Sequence, residues 1–142
     1  MISTIKTLAV MLKIAAALGW LATAIVACAS GERIPPAPSV YANDENAPIG
    51  TGGLEVRVVG GPKYEPESNA DVSLYASLDD YHADVYLGRI VTGRNGRADF
   101  GYLNAGNYYV YVRKQDNGKE YQSLEAAQVQ LARSLTRNII LR

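Results

Sequence analysis

Three stretches of this chain alternate apolar and polar residues with period two: Leu54-Glu55-Val56-Arg57-Val58, Val72-Ser73-Leu74-Tyr75-Ala76 and Tyr108-Tyr109-Val110-Tyr111-Val112. That period puts every second side chain on one face, the pattern of a half-buried strand. Gly60-Gly61-Pro62, Asn95-Gly96, Asn104-Ala105-Gly106 and Asp116-Asn117-Gly118 fall between such runs and supply the positive φ of tight turns. Further strands are predicted from Tyr86 to Thr92, Arg97 to Tyr102, Tyr121 to Leu131 and Leu135 to Leu141. Ser123 to Ala132 is rich in Glu, Ala, Gln and Leu, which favour helix, but it is read as a strand beside its neighbours. Short strands with turns every 8–12 residues make an all-β sandwich or barrel.

The only cysteine, Cys28, lies upstream of all these runs, so no disulfide staples them and the fold must rest on packing and ladder hydrogen bonds. Residues 53–142 make one domain by length. From residue 28 to 52 the chain carries Gly31, Pro35, Pro36, Pro38, Asn43, Asp44, Asn46, Pro48, Gly50 and Gly52 with few apolar residues between them. That composition buries too little surface to offset its ordering entropy. It reads as a flexible tether, stiffer at Pro35-Pro36-Ala37-Pro38, reaching tens of Å at about 3.1 Å per extended residue.

Ahead of it, Lys6 and Lys13 precede the uncharged run from Ile14 to Ala27, 14 residues long. This is signal-peptide architecture over residues 1–27, since a membrane span takes about 20 apolar residues. Extending the run back to Ile5 would reach that length only with Lys13 inside the bilayer. Ile25-Val26-Ala27-Cys28 resembles the bacterial lipobox, which implies a thiol acylated at Cys28, cleavage before it and acylation of the new amino group. Two or more acyl chains hold a protein on a bilayer stably. The competing reading is a secreted protein with a free thiol. Ala29 and Ser30 follow, without the aspartate that resembles an inner-membrane retention signal, so the expectation is an outer-membrane lipoprotein of the cell envelope, facing the periplasm or the outside.

Thr92, Asn95, Gly96, Phe100, Leu103, Gly106, Tyr108, Val110 and Val112, with Ala70-Asp71-Val72-Ser73-Leu74-Tyr75 upstream, resemble the carboxypeptidase-regulatory-like domains. The resemblance covers nearly all of residues 53–142 and implies a transthyretin-like Greek-key sandwich of about seven strands. Phe100 and Leu103 would enter its core. It implies little about function, because one fold hosts many tasks. Hydroxyisourate hydrolases share the architecture but carry several histidines and a Tyr-Arg-Gly-Ser tail, whereas this chain has only His82 and ends Asn138-Ile139-Ile140-Leu141-Arg142.

Fourteen basic and fourteen acidic residues give zero net charge, so there is no basic footprint for nucleic acid. His82 lacks a positioned partner for acid-base work and a second His or Cys for a transition-metal site. Asp79, Asp80 and Asp84 supply oxygens of the kind calcium takes, but without the spacing or the glycine of a dedicated loop; they read as a solvated loop. Asn138 invites comparison with domains that close a Lys-Asn crosslink, but Arg57 stands where the lysine would be, and guanidinium is a poor nucleophile. No metal, cofactor or enzymatic activity is expected. Ten tyrosines against one phenylalanine are the unusual component. Tyr109 and Tyr111, opposite in phase to Tyr108 and Val110, form an outward row that either binds a ligand or only strengthens the sheet. Two tasks compete: docking another envelope protein, for which strand addition at a sheet edge is one mode, or binding carbohydrate or peptidoglycan through Tyr109 and Tyr111.

Overall fold

The alternating runs pair into two stacked sheets in the computed structural model, which describes residues 34–142. The signal-peptide reading of residues 1–27 and the acylation of Cys28 lie outside the described residues. Among the described residues the strands are β1 (Ser39–Asn43), β2 (Thr51–Gly60), β3 (Glu65–Pro66), β4 (Asp71–Tyr75), β5 (Gly88–Val91), β6 (Arg97–Asn104), β7 (Gly106–Asp116), β8 (Lys119–Val129) and β9 (Arg133–Leu141), with one short helix, α1 (Leu78–His82). The first sheet runs β1-β9-β2, and the far edge of β2 is shared by β6 along its first part and β3 at its end. Among the described residues only β2 and β9 pair in parallel. The second sheet runs β5-β4-β7-β8, antiparallel throughout.

Inward phases meet between the sheets. Leu54, Val56 and Val58 of β2 and Leu135, Ile139 and Leu141 of β9 pack on Val72, Leu74, Val110, Val112, Ala127 and Val129 of the second sheet. Phe100, Leu103 and Tyr108 are half-buried and pack against this core, so Phe100 and Leu103 line its margin where the resemblance implied its interior. Each fully buried Val or Leu contributes roughly 1.5–3 kcal/mol. The β7–β8 hairpin turns on Asn117 and Gly118, with φ of 51° and 77°, between the paired Asp116 and Lys119. Two successive positive φ values in a two-residue loop match the right-handed twist of the flanking strands. Ser123 to Ala132 is strand for most of its length, because pairing with β7 along eleven register positions outweighs local helix propensity.

Two strands lie beyond the seven expected, and one of them falls within residues 28–52. β1 pairs with β9 from Ser39↔Arg137 to Asn43↔Arg133. Tyr41 packs against the core and its hydroxyl donates to the Gln128 carbonyl (3.0 Å). Just before β1, the Asn138 side-chain amide donates to the Ala37 carbonyl (2.6 Å) and the Asn138 backbone N–H to that of Pro38 (3.1 Å). This part of the stretch read as a tether is therefore bound to the sheet. The physical reason is the edge of β9, whose unpaired groups β1 satisfies.

Charged residues also occupy inward phases. Arg137 of β9 and Glu125 of β8 form an ion pair, and Arg137 also donates to Ser39 Oγ (2.8 Å) and the Pro38 carbonyl (3.2 Å). One guanidinium thus ties β8, β9 and the start of β1 together. Arg57 sits opposite Asn138 in the parallel register.

Candidate functional site

Because Val72 and Leu74 of β4 point into the core, Asp71, Ser73 and Tyr75 face outward. Pairing places Tyr75 beside Tyr109, Ser73 beside Tyr111 and Asp71 beside Arg113, with Arg89 of β5 on the other side of Ser73. Tyr109 and Tyr111 are both half-buried on this face, opposite Tyr108 and Val110 in phase.

β4 and β5 are neighbours, yet residues 76–87 make a long excursion between them instead of a tight turn. It contains α1, whose N-cap Ser77 accepts from the Asp80 backbone N–H (3.0 Å) and donates to the Asp80 carboxylate (2.8 Å). The helix itself buries no residue. What fixes it is the Tyr81 ring, which meets Tyr75 at 5.4 Å and 86° and Tyr111 at 5.4 Å and 55°. Aromatic pairs of this geometry are worth about 0.5–1.5 kcal/mol each beyond their burial. Tyr75 donates to Asp84 (3.1 Å), the Val85 N–H to the Asp80 carbonyl (2.8 Å) and the Leu87 N–H to the Leu74 carbonyl (2.7 Å). The excursion is thus held along its whole length.

It nevertheless exposes a continuous apolar triplet: Val85 (59 %), Tyr86 (47 %) and Leu87 (58 %), with Leu78 also exposed on α1. Runs of exposed apolar residues weaken a soluble fold's solubility unless they serve a contact. Between Ser77 and Gly88 there is no Lys or Arg, while Asp79, Asp80 and Asp84 are all present.

Beside the triplet lies a shallow cavity of about 110 Å³ lined by Asp71, Ser73, Asp84, Tyr86, Arg89 and Arg113 among others. Arg89 Nε donates to both Asp71 oxygens (2.8 and 2.9 Å), its Nη2 also reaches that carboxylate, and Arg113 stands 3.9 Å away. The hydrogen bonds from Arg89 hold the Asp71 carboxyl below its ordinary value of 3.8, and Asp71 in turn raises the Arg89 guanidinium. Burial raises the Tyr111 and Tyr75 phenols, so both remain donors around neutral pH. A depressed carboxylate stabilises the folded state above its unfolded pKa, and that contribution is lost as pH falls through the folded value. The expected result is that acid lowers the melting temperature of the wild type more than that of Asp71→Asn, the difference opening below about pH 4; parallel pH–melting curves would contradict it. Asp44, lowered mainly by a hydrogen bond from Ser134, adds acid sensitivity that both proteins share.

The remaining residues singled out in the sequence scatter. His82 is exposed against the Tyr81 ring (5.3 Å). Asp80 serves the cap and Asp84 the Tyr75 hydroxyl, and among the described residues no group of three or more His, Cys, Asp or Glu is arranged to hold a metal ion. Tyr111 donates to Gln122 (2.8 Å), and its ring braces Tyr81. Sequence reasoning missed Tyr81, Tyr86, Leu87 and the Asp71–Arg89 pair. A signal was present in Val85-Tyr86-Leu87, an apolar run without alternation at the start of a predicted strand; the structure begins β5 at Gly88 and leaves the triplet in the loop.

No family model matches this chain, and no match occurs among curated proteins. Among solved structures, the chain is similar to one from Pseudomonas aeruginosa described as a "putative carbohydrate binding protein", at 17 % identity and a TM-score of 0.43, covering 70 % of this chain and 91 % of that one. A likeness at that level says nothing of what this chain binds.

Proposed function

We propose that this chain is a non-catalytic binding module of the bacterial envelope, held by lipid on Cys28, that docks a partner protein through residues 76–87. The observation that carries this reading is the exposed Val85-Tyr86-Leu87 triplet on a loop pinned by Tyr75, Tyr81 and Tyr111. A contact loop ordered beforehand loses less entropy on binding than a mobile one. Apolar and aromatic anchors entering a pocket supply most of the energy of such interfaces. The acidic flank asks for a partner whose pocket has a basic rim, and it disfavours insertion into an anionic bilayer. The two-sheet sandwich, the turn at Gly96 and the inward Phe100 and Leu103 support reading the domain as carboxypeptidase-regulatory-like.

Anchoring is tested by intact mass and fractionation of the native protein beside Cys28→Ala. The expected wild type begins at an acylated Cys28 and sediments with outer membranes, and the variant does not; a soluble, unacylated wild type would overturn the anchor.

A glycan is the second reading, favoured by the cavity where Tyr86 borders the Asp71–Arg89 pair, a planar polar group beside a ring. Retention on immobilised peptidoglycan that is lost in Tyr111→Ala and Arg89→Ala, yet kept in Leu87→Asp, would favour the glycan over the protein partner.

A further inference from the structure

We infer that the opposite end of the sandwich holds a second site, for a small zwitterionic molecule with an apolar side, such as a free amino acid or a dipeptide. Three unfavourable features meet there around one cavity of about 360 Å³, within the usual range for small-molecule sites of roughly 300–1,000 Å³.

The first is an inward charge. Lys114 continues the apolar phase of Tyr108, Val110 and Val112, and its ammonium pairs with Glu67, with side chains only 15 % and 25 % exposed. Apolar residues of similar volume commonly serve stability as well as or better than such a pair. The second is Tyr64, which lines the cavity with φ at +52°. A bulky residue in the left-handed region is a true outlier, and strain of this kind persists where the surroundings or a ligand contact demand the side chain. The third is Gly60: a Cβ there would lie 2.3 Å from Glu67 Oε1, so the glycine makes room for that carboxylate.

The lining has the chemistry of a zwitterion. Asp116 suits an ammonium and Arg142 a carboxylate, the Lys114–Glu67 pair presents one group of each sign beside them, and Tyr64, Tyr121 and Leu141 offer apolar surface. Tyr121 faces Lys114 across the β7–β8 ladder, so ring and charge are fixed side by side.

The test is calorimetric titration of the full chain in mild detergent with leucyl-leucine, its N-acetyl form and its C-terminal amide. Saturable binding of the free dipeptide is expected, at least tenfold weaker for each blocked form. Tyr64→Gly is expected to melt no lower than the wild type and to bind at least tenfold more weakly, which separates a ligand role from a packing role. Lys114→Met/Glu67→Leu is expected to stay folded and lose the dipeptide. Absence of binding to the free dipeptide, equal binding of the blocked forms, or a marked fall in melting temperature for Tyr64→Gly would overturn the inference. None of these outcomes bears on residues 76–87, so the two readings stand or fall separately.

Discussion

Gly52→Ala is expected to cost more than about 4 kcal/mol, the range reserved for a few specific structural insults. A Cβ on Gly52 would lie 2.1 Å from the Gln130 carbonyl oxygen and 2.8 Å from that of Arg133. Both are backbone atoms, so no side chain can swing aside. The β8–β9 turn passes directly over this point, and the Ala132 N–H donates to the Thr51 carbonyl (2.9 Å). Making room for the methyl group lifts the turn and pulls on the start of β9, whose parallel pairing with β2 begins at Gly53↔Ser134. Gly96→Ala is the milder companion, with φ at +68° and a Cβ 2.5 Å from the Val58 carbonyl oxygen. Gly118→Ala is the control: its φ is +77° but nothing lies within 4 Å of the added carbon, so only the left-handed backbone cost of about 1–2 kcal/mol applies. Thermal melts of the three variants test this order, and a Gly52→Ala protein melting above Gly118→Ala would refute it.

Val85→Asp/Leu87→Asp is expected to weaken partner binding at least about 10-fold, because each side chain is a little over half exposed and docking gains about half of the roughly 1.5–3 kcal/mol of a full burial. Because both side chains are more than half exposed, the melting temperature should stay close to that of the wild type. Tyr81→Ala should act differently. It removes both ring contacts that hold the excursion, so affinity falls through loss of order while Val85, Tyr86 and Leu87 remain, and melting temperature falls with it. Equal affinity of wild type and the double variant in a binding isotherm would exclude the triplet as the contact.

The core was legible because antiparallel strands that bury one face write their phase into the sequence, as Val72, Leu74, Val110 and Val112 do. The turn at Asn117-Gly118 was legible for an equally local reason, the backbone conformation that its residues tolerate. β1 was hidden because five strand residues stand among prolines and glycines, and only the edge of β9, far away in sequence, gives them a partner. α1 was hidden because a five-residue helix with no buried side chain leaves no stripe to detect. Lys114, Glu125 and Arg137 are charges that the structure places in apolar phases, and their partners are not local: Lys114 finds Glu67 47 residues away and Arg137 finds Glu125 across the sandwich. Alternation puts Tyr109 and Tyr111 on the outward face, whereas Tyr81, which turns that row into a brace for a loop, stands among Asp79, Asp80 and Asp84, whose local pattern is that of a solvated loop.

The most direct measurement is photo-crosslinking in intact cells with the reactive residue at Leu87, compared with the same residue at Gln115, which lies on β7 toward the other end of the second sheet. The expected result is one discrete protein adduct from Leu87, none from Gln115, and loss of the Leu87 adduct when Val85→Asp is added. No adduct at Leu87, or the same adducts from both positions, would contradict docking through residues 76–87.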